Sequence, residues 1–367
     1  MSNSKIYLAV AGAGKTYQIC HNLDKEKRNL ILSYTNENII NIKKELIDQF
    51  NEIPSKTIVQ TYDSFLLEYF IWPYFKMIQE ELFQKPFRQE KCLSFNKTIV
   101  DPNKLWQNTS TNFSKYFIKS TKGNYILKND QISTLILTDS LKFSNGKSLL
   151  DIGIARINKF YDCLYIDEFQ DYRKDKYKLM VKIMQNVSNG IMYGDYYQHS
   201  VAGEQNSGAP FLKSTTYKKF VNEMKKNGFD VDDNSLLKTR RCSEKVCKFI
   251  REKFNINIYS DVDMNRMGNI TYVMTKEQIN TVISKNKIKI LSLNNESKWH
   301  SVSFGLSKGN TYENTLVVLP DKYLKDKTSG ILSIDDGVMK NKIYVALTRA
   351  TGETYITSRK VMQEYFK

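Results

Sequence analysis

Leu164-Tyr165-Ile166-Asp167-Glu168-Phe169-Gln170-Asp171 decides how the rest of the chain is read. A short apolar run delivers two adjacent carboxylates to a strand end, and a glutamine and a third acid follow. Taken alone, the pattern fits a capped strand terminus as well as a chemical site. About 150 residues upstream, however, Ala11-Gly12-Ala13-Gly14-Lys15-Thr16 stands directly after the strand-like Ile6–Val10 and opens a helix. That is the setting of a phosphate-binding loop. A phosphate cradle and a carboxylate pair are the two halves of a site that hydrolyses a nucleoside triphosphate.

Each position in the two segments has a chemical reason. Gly12 and Gly14 let the backbone amides of the loop Ala11, Gly12, Ala13, Gly14, running on through Tyr17, close around phosphate oxygens. Lys15 supplies positive charge to the β- and γ-phosphates, and the Thr16 hydroxyl suits Mg²⁺. The usual first glycine of such loops is Ala9 here. Asp167 is suited to hold the metal with Thr16, and Glu168 to deprotonate the attacking water. Gly194-Asp195-Tyr196-Tyr197-Gln198 follows the strand-like Gly190–Tyr193. Gln198 there is placed to sense the γ-phosphate, the alternative being a surface turn. Thr239-Arg240-Arg241-Cys242 is read as the start of a helix, and Tyr344–Ala350 as another helix carrying Arg349. One arginine from each, Arg241 and Arg349, would reach the γ-phosphate, where such a cation contributes ~10³–10⁵ in rate. A lone arginine is more often a surface residue or an ion-pair partner.

The surrounding pattern is α/β. Strands are expected at Asn29–Ser33, Thr57–Gln60 and Asp162–Ile166, with helices over about Lys15–Lys25 and over Asn36–Phe50. They are apolar enough to be buried on both faces, which implies parallel sheets. A second such pattern has strands at Ile270–Met274, Ile288–Leu293, Thr315–Leu319 and Thr354–Thr357. The expected organisation is a first domain from 1–70 and 151–200, an inserted subdomain over 71–150, a linker over 201–233, and a second domain over 234–367. In the insertion, twelve aromatics accompany twelve Lys/Arg against six Asp/Glu. It reads either as a nucleic-acid track using Trp106, Lys115, Lys119 and Lys122, or as a core with a lysine-rich surface.

A net charge of +16 and a pI near 9.3 point to a polyanionic partner. Abundant Lys, Asn and Ile also fit an AT-rich coding sequence. The hydrophobic share of 41% excludes a disordered chain. Cys20, Cys92, Cys163, Cys242 and Cys247 are scattered, without a CxxC pair, as expected of free thiols in a reducing cytoplasm. With His21, His199 and His300 they offer no zinc or iron–sulfur spacing. The segment before Ile6 is too short for a signal peptide, and no run approaches the ~20 apolar residues of a membrane span. A cytoplasmic protein without a membrane partner is the expectation.

The order of motifs resembles that of superfamily 1 helicases of the UvrD/Rep-like group, over most of the chain. AGAGKT looks like motif I, DEFQD like motif II, GDYYQ like motif III and LLKTRRC (Leu236–Cys242) like motif IV. Ser307-Lys308-Gly309-Asn310-Thr311-Tyr312-Glu313 resembles motif V and YVALTRA motif VI. Tyr34-Thr35-Asn36 and Thr61-Tyr62-Asp63-Ser64-Phe65 are similar to the strand-contacting segments Ia and Ib. The resemblance implies two RecA-like P-loop domains, with ATP and Mg²⁺ as cofactors. Lys15, Thr16, Asp167, Glu168, Gln198, Arg241 and Arg349 would form the ATPase site, with Gly309 and Glu313 coupling nucleotide to strand. Tyr34, Asn36, Tyr62, Phe65, Tyr197 and His199 would face single-stranded or partly duplex DNA. Core packing is the competing reading of Tyr34, Tyr62 and Phe65.

Departures from the family pattern shape the expectation further. No glutamine-bearing segment precedes the loop, and Arg240 stands where relatives carry a base-stacking tyrosine. After Gln198 the aromatic segment of relatives is replaced by His199-Ser200-Val201-Ala202-Gly203. About 60 residues separate Arg241 from Ser303, too few for the large insertion of relatives. The expectation is a minimal DNA translocase and helicase, with a protein partner supplying processivity or a nuclease. The alternatives are a nucleotide-gated binding switch acting with a partner enzyme, and an RNA helicase.

Overall fold

The computed structural model describes residues 4–74, 77, 99–100, 117–119, 125–127, 142–143, 146–199, 210–211, 215–284, 287–324 and 337–367. In chain order come β1 (Lys5–Ala9), α1 (Lys15–His21), β2 (Asn29–Ser33), α2 (Asn36–Phe50), β3 (Thr57–Thr61) and α3 (Tyr62–Leu66). Then follow α4 (Leu149–Phe160), β4 (Cys163–Ile166), α5 (Lys174–Asn186), β5 (Gly190–Gly194), α6 (Tyr217–Lys226) and β6 (Asp230–Leu236). The last part holds α7 (Glu244–Phe254), β7 (Ile270–Tyr272), α8 (Lys276–Ile283), β8 (Ile288–Ser292) and β9 (Asn314–Leu319). It closes with α9 (Val338–Leu347), β10 (Thr354–Ser358) and α10 (Arg359–Tyr365). These elements fall into two compact units. One comprises Met1–Ser4, Leu23–Ile166 and Tyr172–Ile191; the other comprises Lys5–Asn22, Asp167–Asp171 and Met192–Lys367.

In the first unit, β2 lies between β3 and β4, parallel to both, with Asn29 opposite Thr57 and Cys163. Every residue of β2 and of β4 is buried, which is why both read as continuous apolar runs. Buried Asn29 anchors the start of β2, its side-chain amide donating to the carbonyls of Asp24 and Lys27 at 2.9 Å. In α2, Ile39, Ile42 and Leu46 form the buried stripe, at the three- and four-residue spacing of one helix face. Thr35 caps it by accepting from the Asn38 amide, and Asn51 ends it in a left-handed conformation. Ser148 caps α4 in the same way.

In the second unit, β1 runs parallel to β6. A five-stranded sheet has the order β7-β10-β9-β8 followed by the short strand Val302–Ser303, all neighbours parallel. Its core gathers Val273, Ile279, Trp299, Leu316, Val318 and Met362. Alternating helices and parallel strands give the α/β class read from sequence.

Two helix readings are corrected. Thr239–Cys242 precedes a helix instead of beginning one, because Ser243 is the cap: its hydroxyl accepts from the Val246 amide, and α7 starts at Glu244. Arg349 lies beyond α9, which ends where the Thr348 hydroxyl meets the carbonyls of Tyr344 and Val345. The stretch read as a linker, 201–233, contains α6 and the start of β6. Within 71–150, Ile99–Val100 and Phe117–Lys119 each pair antiparallel with Tyr125–Leu127. Trp106, Lys115 and Lys122 lie outside the described residues, and Lys119 is described only as a strand position. Among the described residues no helix is long and apolar enough to cross a membrane.

Gly153 in α4 leaves room for the Phe70 ring, since a Cβ there would fall 2.1 Å from a ring carbon. Overpacking of this kind costs about 1–3 kcal/mol. Gly153→Ala therefore lowers the urea unfolding midpoint of the first unit, and an unchanged midpoint would show that the ring is not fixed against α4.

Candidate nucleotide site

The turn between β1 and α1 has a geometry that suits an anion. Gly12 and Gly14 have φ of 73° and 80°, the left-handed region that glycine enters without a steric penalty. No side chain caps α1, so the amides at its start are available to an anion. Space is as tight as the conformation. A Cβ on Gly12 would lie 2.6 Å from the Thr239 hydroxyl and 2.9 Å from the Arg241 Cβ. The Arg240 amide donates to the Gly12 carbonyl at 2.9 Å. The loop is thus packed directly on the Thr239–Cys242 segment within the second unit.

The acid pair meets this loop. The Lys15 ammonium is 3.2 Å from the Glu168 carboxylate, and the Thr16 hydroxyl donates to Asp167 at 3.3 Å. Glu168 has φ of 55°, a conformation few side chains adopt outside sites that hold it in place. The turn is fixed from below by Phe169, which stacks on Phe220 at 6.1 Å and 9°. Tyr196 and Phe211 complete that cluster around Phe220. Gln170 donates to Glu168 and accepts from the Asp195 amide.

Electrostatics separates the two adjacent acids. Burial opposes charge on Glu168, but Lys15 and then Lys308 outweigh it and hold its carboxyl at about 2. Burial and the neighbouring Glu168 charge push Asp167 up to about 7. Glu168 is therefore a carboxylate at neutral pH. For Lys15, burial works against the charged form, yet Glu168, Asp195 and Asp167 together raise it above its ordinary value. Thr16 and Asp167 offer a hydroxyl and a carboxylate, hard oxygen donors that suit Mg²⁺ sharing its shell with phosphate and water. Among the described residues no group of three His, Cys, Asp or Glu could hold a metal by itself.

Three residues enter the site that the sequence reading did not assign a role. Lys308 bridges Glu168, at 3.7 Å, and Asp171. The Tyr344 hydroxyl accepts from the Ala11 amide at 2.7 Å and donates to Asp195 at 3.3 Å. Asp195, fully buried, also accepts from the Tyr197 amide and the Gln198 side chain at 2.9 Å each. Burial raises its carboxyl to about 6. All three stand inside segments already singled out, so the motifs were the signal and the contacts were not.

The remaining candidates divide. Arg241 donates to the Thr348 carbonyl at 3.1 Å, and Arg349 to Val345 at 2.9 Å and Asn310 at 3.5 Å. Arg349 is fully buried; burial and the Arg241 charge lower its guanidinium to about 9. Arg240 lies over the Tyr17 ring at 4.4 Å, and Tyr17 stacks on His21. Gly309 and Glu313 do not join the acid pair: both are exposed, and Glu313 pairs with Lys287 at 2.9 Å.

The aromatic candidates are corrected in part. Tyr62 and Phe65 are 2% and 0% exposed, and an enclosed ring has no face for a base. They pack with one another and, through Tyr62, on Tyr172. His199 is buried, stacked on Phe211 at 4.2 Å with its ring facing the Asn341 amide. Tyr34 stays half-buried, edge-on to Tyr172 with Lys176 over its ring, and Asn36 is exposed at the start of α2. Tyr197 is half-buried and stacks on Tyr217.

Among solved structures, the chain is similar to the arterivirus nonstructural protein 10 helicase, with 13% identity and a TM-score of 0.44. It is similar to the same helicase in complex with DNA, at 12% and 0.46, and to the PRRSV helicase, at 12% and 0.43. The matches cover 96, 97 and 98% of this chain and 59, 60 and 54% of those chains. The chain therefore spans less than two thirds of the helicases it matches. No protein-family model matches the sequence, and no curated protein does.

Two outcomes follow from the geometry. Lys308→Met leaves Glu168 and Asp171 facing each other without their shared cation, and a charged hydrogen bond of this kind contributes about 1.5–3 kcal/mol. Chemical denaturation should register that loss; no change would place Lys308 away from the acids in solution. Asp195 keeps a proton in the folded state up to about pH 6 that the unfolded chain releases near 3.8. Its contribution to stability is present below pH 3.8 and declines as pH rises to about 6. Unfolding free energies of the wild type should therefore fall relative to Asp195→Asn across pH 4–6, and parallel pH curves would refute the shift.

Proposed function

We propose that the protein is a nucleic-acid-stimulated ATPase of the superfamily 1 helicase type, stepping along a single strand and separating duplex ahead of it. The observation that carries the reading is the pair of contacts Lys15–Glu168 and Thr16–Asp167, which join buried Lys15 and Asp167 to half-buried Glu168 and Thr16 at a glycine loop. The order of motifs supports the finer grouping with UvrD/Rep-like motors. The net charge of +16 supports a polyanionic track.

In this reading the triphosphate lies along Ala11–Thr16, with Lys15 against its terminal phosphates. Mg²⁺, held by Thr16 and Asp167, would neutralise charge on the β- and γ-oxygens. Glu168, kept ionised by Lys15 and Lys308, accepts the proton of the attacking water. Arg241 and Arg349 stabilise charge that builds on the transferred group, and Gln198 reports its presence through Asp195 and Tyr344 to the loop. When the terminal phosphates draw Lys15 away, Glu168 keeps Lys308 as its counter-charge, so the base stays anionic through the cycle. Arg240 and Tyr17 flank the entrance on the base side. Tyr34, Asn36 and Tyr197 remain the candidates for strand contact.

Phosphate release with and without short single-stranded DNA or RNA tests the proposal. Glu168→Gln should lower turnover by about 10²–10⁴, the range of a general base, and Lys15→Ala should abolish it, while strand binding persists in both. Stimulation by one polymer names the track. Turnover indifferent to both polymers would replace the motor with a partner-dependent switch, and full activity in Glu168→Gln would remove the assigned base.

A further inference from the structure

A cavity of about 320 Å³ lies between the end of β1 and the first turns of α6 and α9. No residue of the phosphate loop Ala11–Thr16, neither acid of the pair and neither Arg241 nor Arg349 lines it. Its walls are unlike those of a structural void. Tyr197 and Tyr217 lie parallel, their rings 5.5 Å apart at 8°, and Tyr196 meets Tyr217 edge-on at 5.3 Å. The Lys340 ammonium stands over the Tyr197 ring at 5.8 Å. Lys218, Asn255 and Asn257 are exposed at the rim.

Each of these groups suits one part of the same ligand. Offset-parallel tyrosines present a flat aromatic surface, on which any nucleobase stacks regardless of its identity. Side-chain amides carry both donors and acceptors, and so match the mixed polar edge of a base. Exposed Lys218 and buried Lys340 supply positive charge for a phosphate, against one carboxylate of the lining, Asp233. The volume is at the small end of ligand pockets, about 300–1,000 Å³, which favours one nucleotide unit over a longer segment. The cavity is also coupled to the hydrolytic site. Tyr197 donates its amide to Asp195, and its ring lies 5.9 Å from that of Tyr344, whose hydroxyl holds the Ala11 amide.

We propose that this cavity binds a single nucleotide unit, its base stacked on the Tyr197–Tyr217 pair and its phosphate against Lys218 and Lys340. The unit is either one residue of a bound strand or a free mononucleotide, and the strand case rests on the strand-binding part of the proposed function. Occupancy would reach the phosphate loop through Tyr197, Asp195 and Tyr344.

The test uses the full chain with ADP saturating the phosphate loop. Two probes run in parallel: a short single-stranded oligodeoxynucleotide containing 2-aminopurine, and 2-aminopurine riboside monophosphate. Stacking quenches the fluorescence of the wild-type complex. Tyr217→Leu should weaken binding and relieve quenching by about tenfold, the scale of one base on an aromatic ring, while Tyr217→Phe keeps both. Lys218→Glu, at an exposed position, weakens binding without moving the unfolding midpoint, which separates lost contact from lost fold. Loss with the oligonucleotide alone assigns the site to a strand, and loss with the monophosphate assigns it to a free nucleotide. Unchanged affinity and quenching in Tyr217→Leu and Lys218→Glu for both probes would overturn the cavity. If the wild type still bound the oligonucleotide in that case, the strand-binding reading would stand. A wild type that binds neither probe ends both.

Discussion

Glu168 lies between two lysines, and much of the second unit is organised around keeping that buried carboxylate charged. Burial without a counter-charge favours the protonated form, and together with the Glu168 charge it pushes the neighbouring Asp167 up to about 7. Lys15 reaches Glu168 from the phosphate loop and Lys308 from a segment about 140 residues downstream. Two adjacent acids of nearly equal intrinsic strength thereby acquire opposite shifts in proton affinity. Neither lysine can be replaced by a neutral group without changing what the other holds.

The strained turn that presents Glu168 depends on packing beneath it. Phe169 is inserted among Phe220, Tyr196 and Phe211, and Gln170 bridges Glu168 to the Asp195 amide. Gly194 makes this possible, since a Cβ there would lie 2.5 Å from the Gln170 side chain and 2.6 Å from the Phe169 ring. Aromatic contacts of this type contribute about 0.5–1.5 kcal/mol each beyond their buried area. Together they hold Glu168 in its left-handed conformation and fix the line on which its carboxylate points.

Much of this was legible in the sequence, for identifiable reasons. Strands such as Asn29–Ser33 were readable because parallel strands buried on both faces are continuous apolar runs. Helix starts were less so: Ser243 and Thr239 are both residues that cap helices, and only the Val246 amide decides between them. That the glycine loop and the acid pair come together was readable because each follows a strand-like run in the expected order. The roles of Lys308 and Tyr344 were not, because a contact spanning 137 or 333 positions leaves no local trace. Between strand contact and core packing, the sequence could not decide for Tyr62 and Phe65, because aromatic residues look alike in sequence whether they face a core or a ligand.

The hydroxyl of Tyr344 on the amide of Ala11 also sets an order of events during synthesis. The phosphate loop leaves the ribosome 333 residues before its partner. Between them the chain contributes Asp167–Asp171 and then returns at Met192, so the unit that carries the site is assembled from three separated stretches. Contacts of such long range form slowly, because the intervening loop must close before they contribute. The nascent loop thus exists without its clamp while those 333 residues are made. A ribosome stalled before α9 would leave β1 paired with β6 and the loop that follows β1 without its clamp.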